Sequence, residues 1–348
     1  MATPTQGVVI VLNTPLQGLI HCSNDEYHAA PGMSKSKLDA IAISPLNYWD
    51  QHINPDREPR EYKHCFAVGD GTHKLVLEPG TFEETYAVGF DKSAHPDALD
   101  TMADMKAELA KLKQPVSGSK PELAARLVEA GFPADRILLN LEAAHNQTMT
   151  GKVPMPAGDY KHMMAMLRAV NSHHTAAGLL RGAFTEQSFF TTTEEVAIDP
   201  VTGAPMPTEV LRKCRLDALS ANGAILLDLK TTDDVSQSAF DKTISQRRYH
   251  VQAAWYLDIL KLLYGKEAPT HFAFIAVQKR RPYDVAVHFV TEDHLSLGRY
   301  LYRRDLDQYL RCQLTNQWPG VDAGQIIESR LTSWDLRLLK ELEDADKA

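Results

Sequence analysis

The chain has 348 residues, 44% of them hydrophobic and 24% charged, with a formal net charge of −8. This is the composition of a soluble globular protein with one large domain or two modest ones. The acidity argues against a protein that coats nucleic acid through bulk charge, but not against an enzyme with a local basic channel. Four cysteines, Cys22, Cys65, Cys214 and Cys312, share no C-x-x-C spacing. That argues against a zinc ribbon or iron–sulfur cluster and points to reduced thiols in a cytoplasmic protein. The apolar run Val8 to Leu12 lacks a basic flank and is too short for a signal peptide or a membrane span, so it reads as a strand.

In chain order, residues 7–12 are predicted as a strand and 13–32 as loop. Ser34 and Ser36 offer N-caps for a helix carrying Leu38, Ile41 and Ile43, which Ser44-Pro45 kinks or restarts. A second helix spans Phe66 to Leu77 and ends at Glu78-Pro79-Gly80. Residues 92–100 are loop-like, and two short amphipathic helices follow, Met102 to Lys113 and Lys120 to Ala130. The spacing of Tyr160, Met163, Met164, Met166 and Leu167 predicts a helix from Asp159 onward, with the methionines as adaptable core. Strands are predicted at 186–197, 209–219, 224–230, 270–278 and 283–290, interrupted by helices at about 236–246 and 248–264. Long helices broken at Trp318-Pro319-Gly320 finish the chain. The class is α/β, a central sheet flanked by helices. The helical pair at 98–135 is an insertion, either a minidomain or a lid on the main body.

The chemistry concentrates around Asn222-Gly223, a strong hairpin signal. With these two as the loop, Ala221 faces Ala224, and counting outward sets Asp217 opposite Asp228. Such a pair has its Cβ atoms about 5 Å apart and is destabilising for like charges. The run Ile225-Leu226-Leu227 implies burial, which raises that cost. A divalent cation between the acids would relieve it. Period-two alternation puts Lys230 on the face of Asp228. Two acids and a lysine around a metal suit phosphodiester hydrolysis, although an isolated Asp-x-Lys is often only a solvated face.

Other residues could join this site. His73 lies on a predicted helix after Gly69 and Gly71, either as a ligand or as a structural histidine. Glu186 opens the strand series and could enter the same cleft, or be an ordinary edge acid. Gln252 and Tyr256 share a helix face and suit contacts at the cleft edge, or are half-buried polar tips. Basic clusters at Arg247-Arg248, Lys279-Arg280-Arg281 and Arg303-Arg304 could grip phosphates or form solvated faces. The second of these sits in a predicted hairpin turn.

The order Gly69-x-x-x-His73, Glu186, Asp217, Asp228-x-Lys230, Gln252-x-x-x-Tyr256 resembles the RecB-like branch of the PD-(D/E)xK nucleases. More narrowly, Asn24-Asp-Glu-Tyr-His28, Pro31-Gly-Met-Ser-Lys-Ser-Lys-Leu38 and Ser44-Pro45 resemble RecE-type exonucleases, the catalytic domain of exodeoxyribonuclease VIII. The likeness runs from about residue 13 to 320, apart from 98–135. It implies a restriction-endonuclease-like core in residues 1–97 and 136–348, with a mixed sheet. It further implies that Asp217, Asp228, His73, Glu186 and the Leu229 carbonyl bind Mg²⁺, with Mn²⁺ accepted. Lys230 would activate water, and Gln252 and Tyr256 would position DNA.

The implied activity is 5′→3′ digestion of linear double-stranded DNA by a homo-oligomeric ring. It would supply 3′ single strands to a RecT-like annealing partner. Relatives with an iron–sulfur cluster carry clustered C-terminal cysteines, whereas only Cys312 lies there in this chain. The insertion, through Met105, Leu109, Val116 to Lys120, Leu123, Arg126 and Leu127, resembles a SAP motif. By that likeness Lys120 and Arg126 would contact phosphates; a purely structural hairpin is the alternative. An end-independent endonuclease and a catalytically silent DNA-binding scaffold are the competing functions. The second would show as loss of Asp217, Asp228 or Lys230, and all three are present.

Overall fold

A computed structural model describes residues 17–58, 64–147, 149, 151–199 and 202–345. The strand expected at 7–12 lies outside the described residues. The chain divides into two compact units, one of residues 1–32, 60–192 and 211–299, the other of 33–59, 193–210 and 300–348.

The main sheet runs in the order β1-β4-β5-β6-β7-β8. Its strands are β1 (Gly18–Ile20), β4 (Phe184–Ile198), β5 (Pro205–Leu219), β6 (Ile225–Thr232), β7 (His271–Gln278) and β8 (Val285–Phe289). A separate parallel pair joins β2 (Tyr86–Val88) and β3 (Val153–Met155). Within the main sheet β5 and β6 are antiparallel, β6 and β7 parallel, and β7 and β8 antiparallel.

The sheet is therefore mixed rather than a simple meander. A parallel step needs a crossover, because a tight turn can only reverse the chain. The helices Gln237–Gln246 and Tyr249–Tyr264, expected from sequence as interruptions, are that crossover.

One side of the core is sealed by Leu229, Ile275, Val277 and Val285 against Ala67, Phe82, Tyr86 and the buried Met163, Met166 and Val170 of the helix Ala157–Ser172. Met163 and Met166 are core, as their spacing indicated, whereas Met164 is only half-buried. Gly71 allows a close approach here, since a Cβ would lie 2.7 Å from Met163 Sδ and that side chain would have to shift. Gly298 is the stricter case, because its neighbour is backbone. A Cβ at that position would run into the His250 carbonyl, so the first turns of the helix Glu292–Thr315 can press onto the crossover helix only with glycine.

Residues 13–32 are not all loop. They contain β1 and the helix Asn24–Ala29, whose capping box pairs Ser23 with Glu26. So short a helix is unstable alone, and β5 holds it by tertiary contacts. The buried Lys213 ammonium donates to the carbonyls of Tyr27 at 2.7 Å and Ala30 at 2.6 Å. Arg215 Nη1 donates to the Cys22 carbonyl at 3.0 Å.

Residues 98–135 contain the two expected helices, Met102–Lys111 and Lys120–Glu129. Met105, Leu109, Leu123, Ala124 and Leu127 form a small core together with Ile137, which follows the segment.

In the smaller unit Ser34 and Ser44 cap the helices Lys35–Ile43 and Pro45–His52, as their positions suggested. Tyr48 stacks on Trp318 and meets Tyr309 edge-on. No described helix is long and apolar enough to cross a membrane.

Candidate active site

The β5–β6 hairpin sets the geometry. Its pairs Ala218↔Leu227 and Leu219↔Leu226 make Asp217 and Asp228 the next pair outward. The register is the one read from sequence, but the turn is different. Gly223 N–H closes a turn on the Ser220 carbonyl, and Ser220 N–H pairs with the Ile225 carbonyl. Four residues, 221–224, thus form the loop, and only Gly223 has positive φ, at 71°. Two-residue and four-residue loops with the same centre give the same pairing, so the site is indifferent to which forms.

Asp228 is buried, and its Oδ1 lies 2.5 Å from Lys230 Nζ. Its Oδ2 accepts a hydrogen bond from Gln252 Nε2. Burial first, then the Asp217 charge, raise the Asp228 carboxyl to about 6 against the pull of Lys230. Burial alone would lower Lys230, but Asp228 and Asp217 outweigh it and hold the ammonium above the usual lysine range. Its Nζ also lies 4.8 Å from the centre of the Tyr249 ring.

Asp217 faces other partners. Its Oδ2 accepts the Leu229 N–H at 2.8 Å and lies 3.3 Å from His73 Nδ1. His73 comes from the helix His64–Leu77, where Asp70, His73 and Lys74 follow i, i+3, i+4 spacing and line the same cavity. Glu186 sits inside β4 with φ 53°, a left-handed backbone uncommon outside glycine. A non-glycine residue held there inside a strand marks a position that the surroundings over-determine. Burial first, then Asp217, push its carboxyl up to about 7, although Arg215 Nε lies 2.9 Å from Oε2.

His73, Glu186 and Asp217 each present a ligand atom, all within 4.8 Å of one another. One imidazole and two carboxylates suit a hard or borderline divalent cation. The donor set therefore fits the metal that the sequence suggested. Asp228 does not share that cluster. Its carboxylate is directed to Lys230 and Gln252 instead.

A cavity of about 420 Å³ opens over the cluster, lined among others by Ser23, Asn24, Tyr27, His28, Arg215 and Tyr256. Tyr256 thus lines this cavity. Gln252 is not at the edge but buried, because its amide is consumed by Asp228.

Several residues escaped the sequence reading. Arg215 braces Glu186 and also donates to Ser188 Oγ at 2.7 Å. It was recoverable, since Lys213, Arg215 and Asp217 alternate on one strand face while Cys214, Leu216 and Ala218 are buried on the other. Asp70, which accepts from the Tyr86 hydroxyl at 2.5 Å, carried no comparable signal.

The basic residues divide. Lys279, Arg280 and Arg281 are exposed in the β7–β8 turn, while Arg247 and Arg248 precede the crossover helix. Lys120 is paired with Asp100 at 3.0 Å. Arg126 donates to the Pro115 and Ser117 carbonyls at 2.7 and 2.8 Å, so it ties down the interhelix loop.

The chain matches, over residues 34–330, the family described as a PDDEXK-like domain of unknown function (DUF3799). It belongs to this PDDEXK-like family. The mixed sheet flanked by helices agrees with the restriction-endonuclease-like core of that class. Two solved structures are also similar. One, from Eubacterium rectale and named as a candidate exonuclease, shares 13% identity over 71% of this chain and 95% of its own, with a TM-score of 0.36. The other, SSO0001, shares 15% identity over 58% and 83%, with a TM-score of 0.23. No curated protein matches the chain.

The raised Glu186 and Asp228 carboxyls give this PDDEXK-like domain a pH signature. A carboxyl raised from 4.5 to about 7 binds its proton more tightly in the folded state. Without metal, stability therefore falls as pH rises from about 4.5 to about 7, by about 3 kcal/mol for Glu186 alone. A bound cation favours the ionised form and opposes that loss. Melting curves in EDTA should show lower stability at pH 8 than at pH 5, and added Mg²⁺ or Mn²⁺ should raise the melting temperature more at pH 8. Equal effects of metal at both pH values would count against cation binding by these acids.

Proposed function

We propose that this PDDEXK-like protein is a metal-dependent exodeoxyribonuclease acting on linear double-stranded DNA. The observation that carries the reading is the convergence of His73, Glu186 and Asp217 beside a buried Asp228–Lys230 pair. A divalent cation, Mg²⁺ by this reading and Mn²⁺ as a substitute, would supply Lewis acidity at the scissile phosphate and an activated water. Asp217, Glu186 and His73 would hold it. Asp228 and the Leu229 carbonyl are further candidates, and the Leu229 N–H already fixes Asp217 in place.

The chain's own groups do the rest. Lys230 keeps its proton while Asp228 is ionised beside it, so it stabilises negative charge at the phosphate and orients the water. Gln252 fixes the Asp228 carboxylate, which in turn fixes Lys230. Tyr256, at the cavity wall, meets substrate. Lys279, Arg280, Arg281, Arg247 and Arg248 supply cationic contacts to the DNA backbone.

The finer parts of the reading follow the resemblance to RecE-type exonucleases. Digestion would run 5′→3′ from a duplex end, in a homo-oligomeric ring in the cytoplasm. It would leave 3′ single strands for a RecT-like annealing protein. The insertion at 98–135 would act as a SAP-like DNA tether. Because Lys120 and Arg126 have intramolecular partners, that tether would use them only by exchanging those bonds for phosphate.

The test is digestion of linear duplex labelled at the 5′ or 3′ end, beside the same DNA as a closed circle. Early release of the 5′ label from linear DNA alone supports the reading. Cleavage of the circle replaces it with an endonuclease.

A further inference from the structure

The turn after β7 meets the middle of the helix Ala157–Ser172, far away in sequence, to form an open groove of about 720 Å³. Ala165, Arg168, Ala169, Arg281, Pro282 and Tyr283 line it. Arg168 and Arg281 are both exposed, and neither has a side-chain hydrogen bond or ion pair among the described residues. This sets them apart from Arg215, Arg299 and Arg304, each matched to a carboxylate.

The groove is built rather than incidental. Tyr283 holds a left-handed backbone, φ 61°, and its hydroxyl lies 2.6 Å from His162 Nδ1, which fixes the ring as a wall. Ala165 and Ala169 keep the floor low. The neighbouring acid, Asp284, is folded back onto the Val285 N–H at 2.8 Å. Two uncompensated guanidinium groups on one concave surface match the geometry of phosphate oxygens.

The turn that lines the groove is also tied to the end of the strand that carries Lys230. Lys279 N–H donates to the Thr232 carbonyl, and Gln278 Nε2 to the Asp233 carbonyl, each at 2.9 Å. Thr232 stands two residues beyond Lys230, roughly 7 Å along an extended strand. With the interstrand step of about 5 Å and two further turn residues, the path from Lys230 to the groove is at most on the order of 20 Å.

We propose that Arg168 and Arg281 bind the phosphate backbone of the DNA substrate in this groove, a second contact outside the cleavage site. The proposal rests on the nuclease reading, and it adds Arg168, which sequence alone did not single out.

The test measures binding of linear duplex in EDTA over a series of salt concentrations. It compares the unaltered protein with an Arg168→Ala/Arg281→Ala double variant, an Arg168→Lys/Arg281→Lys variant, and Lys340→Ala as a surface control. The slope of log affinity against log salt should fall by about 2 in the alanine variant, close to one per lost phosphate contact. The lysine variant and the control should keep the slope. In cleavage with Mg²⁺ the alanine variant should show a raised KM and an unchanged kcat. An unchanged slope and KM, with cleavage intact, overturns the groove and leaves the nuclease standing. Failure of the unaltered protein to bind or cleave DNA overturns both.

Discussion

Asp217→Ala should abolish metal-dependent cleavage, lowering the rate on the order of 10³-fold or more, while the protein still folds and binds DNA. The substitution removes a carboxylate that meets His73 and the Leu229 N–H and belongs to the only three-residue ligand cluster among the described residues. Losing a group that positions charge stabilisation at the reacting atoms costs rates of at least this order. Asp217 is only half-buried, so its removal leaves no large void. It also relieves the repulsion that raises Glu186 and Asp228. The variant should therefore be at least as stable as the parent in EDTA, and should gain less from added Mg²⁺. Thermal melts with and without metal, beside a cleavage assay, separate these effects. A variant that cleaves at the parental rate would remove Asp217 from the chemistry.

Lys230→Met should behave differently, losing both activity and stability. Lys230 compensates a carboxylate that is otherwise buried and bonded only to Gln252. Removing one partner of a buried pair costs about 3–5 kcal/mol, because the remaining charge is stranded. Asp228 can escape that cost by taking up a proton. Its carboxyl already stands at about 6 and should rise further without Lys230. A raised carboxyl destabilises the folded state as pH climbs through its folded value. The deficit of Lys230→Met relative to the parent should thus be large at pH 8 and small at pH 5. Denaturant unfolding at the two pH values measures it. A pH-independent deficit would mean that Lys230 acts through packing rather than charge.

These expectations rest on features that were unevenly legible in the sequence. Asp217, Asp228 and Lys230 could be placed because strand alternation is rigid and any symmetric loop around Asn222-Gly223 gives the same pairing. The helix bearing His73 and the crossover helix bearing Gln252 and Tyr256 were visible through their apolar spacing. The helix Asn24–Ala29 was not, since its stability comes from Lys213 and Arg215 reaching its backbone carbonyls, contacts without a local signature. Glu186 was visible as a candidate, but its left-handed backbone and its brace by Arg215 are tertiary facts. Gln252 shows the limit of helix-face arguments. The face was right, yet the amide turns inward to Asp228 because a buried carboxylate needs a donor more than the cleft edge does. Arg126 illustrates the same point in the insertion, where nearby loop carbonyls claim the guanidinium.

The most direct measurement is single-turnover degradation of linear duplex DNA by the unaltered protein and by Asp217→Ala, each in Mg²⁺ and in EDTA. The account predicts degradation only by the unaltered protein with Mg²⁺, with DNA binding retained in all four cases. Degradation that survives EDTA, or that persists in Asp217→Ala, would contradict a metal-dependent nuclease centred on His73, Glu186 and Asp217.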